Sequence, residues 1–346
     1  MTTLTTQAHD SRRLLALWLL LCCTTVFAMV VLGGVTRLTG SGLSMVEWEP
    51  IIGVLPPLSE AQWEEAFAQY REYPEYRLKN AGMDLQGFQS IFWLEYWHRV
   101  LGRLIGVIFA VPFVIFLLRG MIDRPLIPKL AGLFVLGGLQ GLMGWYMVKS
   151  GLVDDPHVSQ YRLTAHLLLA FLIFAGMFWV ALDLLRGGPA EQHSRHSGTG
   201  TVLWLTGFVL LTIASGGFVA GLKAGFTFNT FPLMNGQWIP DGIALLEPGW
   251  RNLFENITTV QFNHRVLAVS LGLALIGYSV KLLRGHPLTQ VRTAVWLLLI
   301  AVVVQLTLGI STLLLVVPIP LAAAHQGGAV LLFAAILNLA HQLRRV

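Results

Sequence analysis

The sequence predicts an all-α integral membrane protein of eight transmembrane helices, arranged as two parallel-repeat four-helix bundles. Three observations carry this. Apolar residues make up 55% of the 346 residues and charged residues only 12%, at a mean hydropathy of +0.67; soluble domains carry about 25% charge. The apolar residues gather into stretches long enough to cross roughly 30 Å of hydrocarbon, which takes about 20 residues each. The chain also reads as two copies of one four-helix unit.

The first span covers 14–36, with Arg12 and Arg13 before it. It is too long for a signal-peptide core and reads as a retained helix. Cys22 and Cys23 are adjacent inside it. There they staple no outer loop, so they read as small apolar packing residues and no disulfide framework is expected. The long connection 37–89 contains Ser59-Glu60-Ala61-Gln62, a capping-box pattern. After it, Trp63, Phe67 and Tyr70 recur at helical spacing within Trp63–Tyr73. That amphipathic segment is expected at the membrane surface, as an aromatic anchor or a cover over a site.

Spans two to four are expected at 90–118, 130–150 and 161–185. The polar segment Gly187–Gly200, rich in Gly, Ser and His, reads as a linker between an N-terminal half, 1–186, and a C-terminal half, 201–346. Spans five to eight follow at 202–223, 256–283, 292–316 and 320–343. The connection 224–255 contains FTFNTFPLMNGQWIP, whose Pro, Gly and Asn residues predict an irregular loop.

The net charge of +5 follows topology and is no nucleic-acid signal. Arg12, Arg13, Arg119, Arg124, Lys129, Arg186, Arg195, Lys281, Arg284, Arg292, Arg344 and Arg345 all fall on one side if there are eight spans. The positive-inside rule then puts both termini in the cytoplasm, or in an organelle's matrix.

The repeat is legible in motifs. GGVTRLTGSGLS (33–44) aligns without gaps with GGFVAGLKAGFT (216–227). HRVL occurs at 98–101 and at 264–267. Gln140 in LGGLQGLMG matches Gln305 in VVVQLTLGI. Each unit has an even number of spans, so the copies share one orientation.

Four histidines lie inside apolar spans, paired by the repeat: His98 with His264, and His166 with His325. An ionisable group in hydrocarbon marks function by default. Each lies about 8–13 Å below the outer boundary at 1.5 Å per residue. His98 and His166 can therefore face each other in one bundle, and His264 and His325 in the other. That is an arrangement for two axial haem ligands in a bundle core. Zinc fits less well, since there is no compact set of three or four ligands. His9, His193, His196, His286 and His341 lie near the basic connections and His157 in an outer one; these six read as solvated.

The halves differ one turn before the shared histidine, with Glu95 in LEYWHRVL and Gln261 in VQFNHRVL. At i, i+3 Glu95 shares a helix face with His98. It is placed to move protons near a substrate, or to form an ion pair with Arg99 or Arg103. The asymmetry suggests chemistry in the first half and a permanent electron-transfer cofactor in the second. Arg99, Arg103 and Arg265 need partners at their depth, and haem propionates suit a guanidinium. Arg37 and Lys223 serve the same way or snorkel to the interface.

At these residues the chain resembles the haem A synthase family. GGVTRLTGSGLSMVEWEP, LEYWHRVLGR, FNTFPLMNGQWIP and FNHRVLA are similar to its signatures, and the resemblance covers nearly the whole chain. It implies oxidation of the C8 methyl of haem O to a formyl group, giving haem A for cytochrome oxidase, in the bacterial inner (cytoplasmic) membrane with sites near the periplasmic face. It implies that His98 and His166 flank the substrate haem O, with Arg37, Arg99 and Arg103 on that side, and that Glu95 is the essential acidic residue. His264 and His325 would ligate the iron of haem b, with Arg265 and Lys223 beside it. Some members carry cysteine pairs in outer loops; this chain resembles the proteobacterial and mitochondrial type without them. The expected partners are membrane lipid, a haem O synthase and an electron donor or acceptor, with a homo-oligomer left open. Direct oxygen activation and electron removal followed by water attack both remain open as routes. A dihaem electron-transfer protein of the quinol-linked cytochrome b type is the alternative, and a transporter with histidine proton relays is a further one.

Overall fold

The computed structural model describes residues 2–46, 55–153, 156–187 and 198–345, with backbone alone for 2–9. Linker residues 188–197, including His193, Arg195 and His196, lie outside the described residues, as do positions 47–54 and the His9 side chain. Among the described residues the helices are α1 (Thr2–Leu38), α2 (Glu60–Arg71), α3 (Pro74–Leu78), α4 (Leu85–Leu118), α5 (Ile127–Lys149), α6 (Gln160–Leu185), α7 (Thr199–Gly221), α8 (Asn252–Glu255), α9 (Ile257–Arg284), α10 (Thr289–Leu314) and α11 (Ile319–Leu343). Eight of them, α1, α4, α5, α6, α7, α9, α10 and α11, are long and apolar enough to cross a membrane.

The chain divides into two compact units, Thr24–Ala170 and Met1–Cys23 with Phe171–Val346. In the second, α7 packs on α9 and α11, and α10 packs on the same two, which closes a four-helix ring. Large apolar side chains also cover outward faces. On α4, Leu104, Val107, Val111, Ile115 and Leu118 are exposed at helical spacing. In a bilayer this is the stable arrangement, because lipid is as apolar as the core. Cys22 and Cys23 are buried in α1.

α4 begins earlier than hydropathy suggests. It starts at Leu85, where Asp84 caps it by accepting from Gly87 N at 2.8 Å. Its first turns precede the stretch expected from hydropathy and continue the same helix. They carry Phe88 and Phe92, and α2 packs on them. The capping box at Ser59 is present, with Ser59 and Gln62 each satisfying the other's backbone N–H. Phe67 and Tyr70 of α2 are buried against Phe88, Phe92 and Tyr96; Trp63 lies 4.9 Å from Phe92, ring to ring. The aromatic face of α2 is thus turned onto α4. The Tyr70 hydroxyl receives a hydrogen bond from Asn80 at 2.7 Å and donates to Glu75 at 3.3 Å. Burial raises its pKa, which keeps it a donor.

The solvated reading fails for His341, which is 1% exposed. Its Nε2 is 3.0 Å from Asp183 and its Nδ1 accepts from Arg186 at 2.8 Å. Its ring meets Trp179 edge-on at 5.1 Å. A histidine in the last turn of a span looks like an interfacial residue in sequence; here α6 supplies a carboxylate and a guanidinium that allow it to be buried. His157 and His286 are exposed.

Ser59→Ala removes one half of the capping box and should weaken α2 locally by about 1 kcal/mol. Amide hydrogen exchange in detergent checks this: faster exchange confined to α2 is expected, and no change there would mean packing on α4 alone holds the helix.

Candidate functional site

Each of the four histidines sits against a glycine of the neighbouring span. A Cβ added to Gly33 of α1 would stand 2.8 Å from Cε1 of His98 in α4. The same construction gives 3.1 Å from Gly144 of α5 to His166 in α6, 3.1 Å from Gly216 of α7 to His264 in α9, and 2.8 Å from Gly309 of α10 to His325 in α11. Any side chain at these positions would push the ring away, so glycine is what lets the imidazole approach the backbone. Cε1 is the ring atom nearest the glycine in every seat, and each of the four histidines is partly buried. Nδ1 of His98, His166 and His325 is buried without a hydrogen bond.

The imidazoles come as two pairs. His98 and His166 are within electrostatic reach of each other, and so are His264 and His325. Among the described residues no cluster of three or more His, Cys, Asp or Glu side chains stands ready for a metal ion. The two glutamines aligned in sequence make the same contact: Gln140 Nε2 donates to the His166 carbonyl at 3.1 Å, and Gln305 Nε2 to the His325 carbonyl at 3.0 Å. The Gln140 amide also lies 3.4 Å from His166 Nε2.

Outward of each pair, the helix carrying the first histidine grips the outer connection. Glu95 is 4% exposed. Its Oε1 pairs with Arg99 at 2.5 Å, and its Oε2 accepts from Ser44 Oγ at 2.8 Å and from Met45 N at 2.9 Å. Arg99 donates further to the Met45 carbonyl at 2.6 Å. In the C-terminal half, Gln261 Nε2 donates to the Phe228 carbonyl at 3.1 Å. Arg265 donates to Phe228 and Thr230 carbonyls, each at 2.6 Å. Met45 and Phe228 are equivalent in the gap-free alignment of the outer helix ends. The same clasp therefore occurs twice, ionic in one half and neutral in the other. Both the ion-pair reading of Glu95 and its placement one turn from His98 hold in the structure. The guanidiniums of Arg99 and Arg265, expected to face a ligand's carboxylates, are engaged with loop carbonyls.

The remaining predicted cations stand apart from these clasps. Arg103 is half-buried one turn inward of Arg99. Arg37 is half-buried in the last turn of α1. Lys223 falls just beyond α7, exposed, in the left-handed region at φ 53°. Sequence reasoning passed over two others. Lys149 and Arg162 line a cavity of about 460 Å3 with Trp145, Tyr146, Ser150 and Val153. Arg162 lies one turn before His166, stacks 3.7 Å over the Tyr146 ring and donates to the Tyr146 carbonyl at 2.8 Å. The Lys149 ammonium is 5.2 Å from the Trp145 ring. The signal was available: the positions matching Arg162 and Lys149 in the second half are Leu321 and Leu314.

Fold and site define a class, a multi-span helical membrane protein with two pairs of glycine-seated imidazoles. Residues 16–337 match the family model described as cytochrome oxidase assembly protein. The chain is 56% identical to the haem A synthase of Nitrosospira multiformis, covering 99% of this chain and 96% of that one. It is 52% identical to that of Nitrosomonas eutropha, over 95% and 93%, and 51% identical to that of Paramagnetospirillum magneticum, over 98% and 96%. The chain belongs to the haem A synthase family and is an enzyme of haem A formation for cytochrome oxidase.

Arg99→Ala leaves the Glu95 carboxylate buried without its cation and should cost roughly 3 kcal/mol. Arg265→Ala removes hydrogen bonds beside a neutral amide and should cost less, about 1–2 kcal/mol. Thermal unfolding in detergent should therefore rank wild type above Arg265→Ala and Arg265→Ala above Arg99→Ala; the opposite order for the two variants would refute the ionic reading of the first clasp.

Proposed function

We propose that the first half oxidises the C8 methyl of haem O to a formyl group, and that the second half holds haem b permanently as redox cofactor. The observation that carries this reading is the glycine-seated imidazole pair, built once in each half. Its residues suit a haem. Each ring is backed by a glycine, and an Nδ1 that is buried at His98, His166 and His325 and bonded to Ser215 at His264 suits a ring whose Nε2 would serve as ligand. Haem iron supplies the electron-transfer capacity that methyl oxidation needs and side chains lack.

The chain's own residues have distinct tasks in this reading. His98 and His166 would hold the substrate haem, and His264 and His325 would hold haem b. Glu95 keeps the connection around Ser44 and Met45 closed over the first site. As a carboxylate within electrostatic reach of His98, it also takes or delivers the protons of the reaction. Arg162 and Lys149 are the cations that haem O propionates meet in the first half, with Arg37 and Arg103 further candidates there. The Glu95–Arg99 and Gln261–Arg265 clasps hold the outer connections, and Lys223 lies at the rim of the second half. Halves 1–186 and 201–346 act as substrate and cofactor modules joined by 187–200. The distribution of basic residues supports an inner-membrane protein with both termini cytoplasmic and both sites toward the periplasmic face.

His264→Ala or His325→Ala should abolish stable haem b in the purified protein, read from the absorption spectrum and from acid extraction with mass identification. Retained haem with an unchanged spectrum would remove both residues from the ligand set. Glu95→Gln installs the residue that the second half already carries at this point, so the fold should tolerate it. It should keep haem binding and stop conversion of haem O; normal turnover would take Glu95 out of the mechanism.

A further inference from the structure

The four imidazole seats share the glycine contact and differ in what meets the ring at Nδ1. His264 Nδ1 is 2.8 Å from Ser215 Oγ, and Ser215 Oγ donates its one hydrogen to the Thr212 carbonyl at 2.7 Å. The oxygen is then left as an acceptor, so His264 carries its proton on Nδ1. The Thr212 carbonyl also interacts with the His264 ring, and a carbonyl accepts from N–H only. Both neighbours demand the same tautomer, which leaves the ring's lone pair on Nε2.

The other seats lack this bond. Carbonyls of Gln140 and Gln305, each four residues before the packing glycine, interact with the His166 and His325 rings but fall short of hydrogen-bond geometry at Nδ1. His98 has neither kind of partner among the described residues. The reason is visible in the repeat. Ser215 directly precedes Gly216, and the residue directly preceding Gly33 is Leu32. Leucine has no hydroxyl to offer at the aligned position.

We infer that Ser215 is a positioning residue that makes His264 a permanent axial ligand, and that His98, with Leu32 in the equivalent place, is the exchangeable ligand of the substrate-side pair. This rests on the reading that the imidazole pairs hold haem. A hydrogen bond to the outer nitrogen of a ligating histidine fixes its tautomer and orientation and raises its basicity; losing such a partner typically lowers metal affinity 10–100-fold. A resident cofactor benefits from that bond. A substrate that must enter, react and leave needs at least one ligand free to let go, and turnover selects against the bond there.

The test uses the full-length holoprotein in mild detergent. Haem loss to excess apomyoglobin is followed for wild type, Ser215→Ala and Ser215→Thr, together with the midpoint potential of the bound haem b. Ser215→Ala should lose haem b at least about tenfold faster, with a potential raised by the less basic ligand, and Ser215→Thr should restore both. A merely structural role would leave the potential unmoved. The reciprocal variant Leu32→Ser should slow cyanide binding to haem loaded at the first site. Wild-type haem loss and potential in Ser215→Ala, or wild-type cyanide kinetics in Leu32→Ser, would overturn the inference. His264→Ala separates the two levels: if it keeps haem b, the ligand assignment itself fails; if it loses haem b while Ser215→Ala behaves as wild type, only the role of Ser215 fails.

Discussion

The structure depends on the cost of placing an imidazole among apolar helices. Water does not compensate a polar ring there, so the ring must be met by ligand, side chain or backbone. Backbone polarity in a helix is shielded by side chains except at glycine. Gly33, Gly144, Gly216 and Gly309 open that shield at four points, each against a histidine of the next span. The close approach that glycine permits between membrane helices is used here to seat a ring, and that fixes the spacing of each helix pair around it.

Once the rings are seated, the outer connections have to be tied to the same helices. Arg99 and Arg265 do this one residue beyond His98 and His264, by binding the carbonyls of Met45 and Phe228. A guanidinium is suited to the task because its fork can hold two oxygens at once. The partner one turn earlier then decides the electrostatics. With Gln261 the clasp is neutral on that side. With Glu95 a buried carboxylate is added, and it is tolerable because Arg99, Ser44 and Met45 all donate to it. The first half thereby keeps an ionisable group near its histidines at little structural expense.

Hydropathy and charge bias made the eight spans legible, since lipid enforces both over whole segments. The capping box at Ser59 was legible because it is local. The start of α4 at Leu85 was not, because those turns are helical for tertiary reasons: Phe88 and Phe92 are covered by α2. His341 was misread for the same reason, as its partners Asp183 and Arg186 come from a different helix. The histidines stood out by type and by repetition, whereas their glycine seats did not, because glycine is common in membrane helices and only contact distinguishes these four. Lys149 and Arg162 were overlooked since helix-end cations usually snorkel; comparing them with Leu314 and Leu321 would have singled them out.

Two imidazole pairs seated in the same way are set apart only by the residues around them. The differences are few and share a character. Glu95 against Gln261 adds a buried carboxylate, and Arg162 and Lys149 against Leu321 and Leu314 add cations near one pair. Leu32 against Ser215 withholds a hydrogen bond from one imidazole. Each change leaves the glycine–histidine contact and the arginine clasp intact, so the scaffold is indifferent to it. Specialisation can then accumulate one residue at a time at the ends and edges of helices, where a substitution alters charge or hydrogen bonding without disturbing how the spans pack.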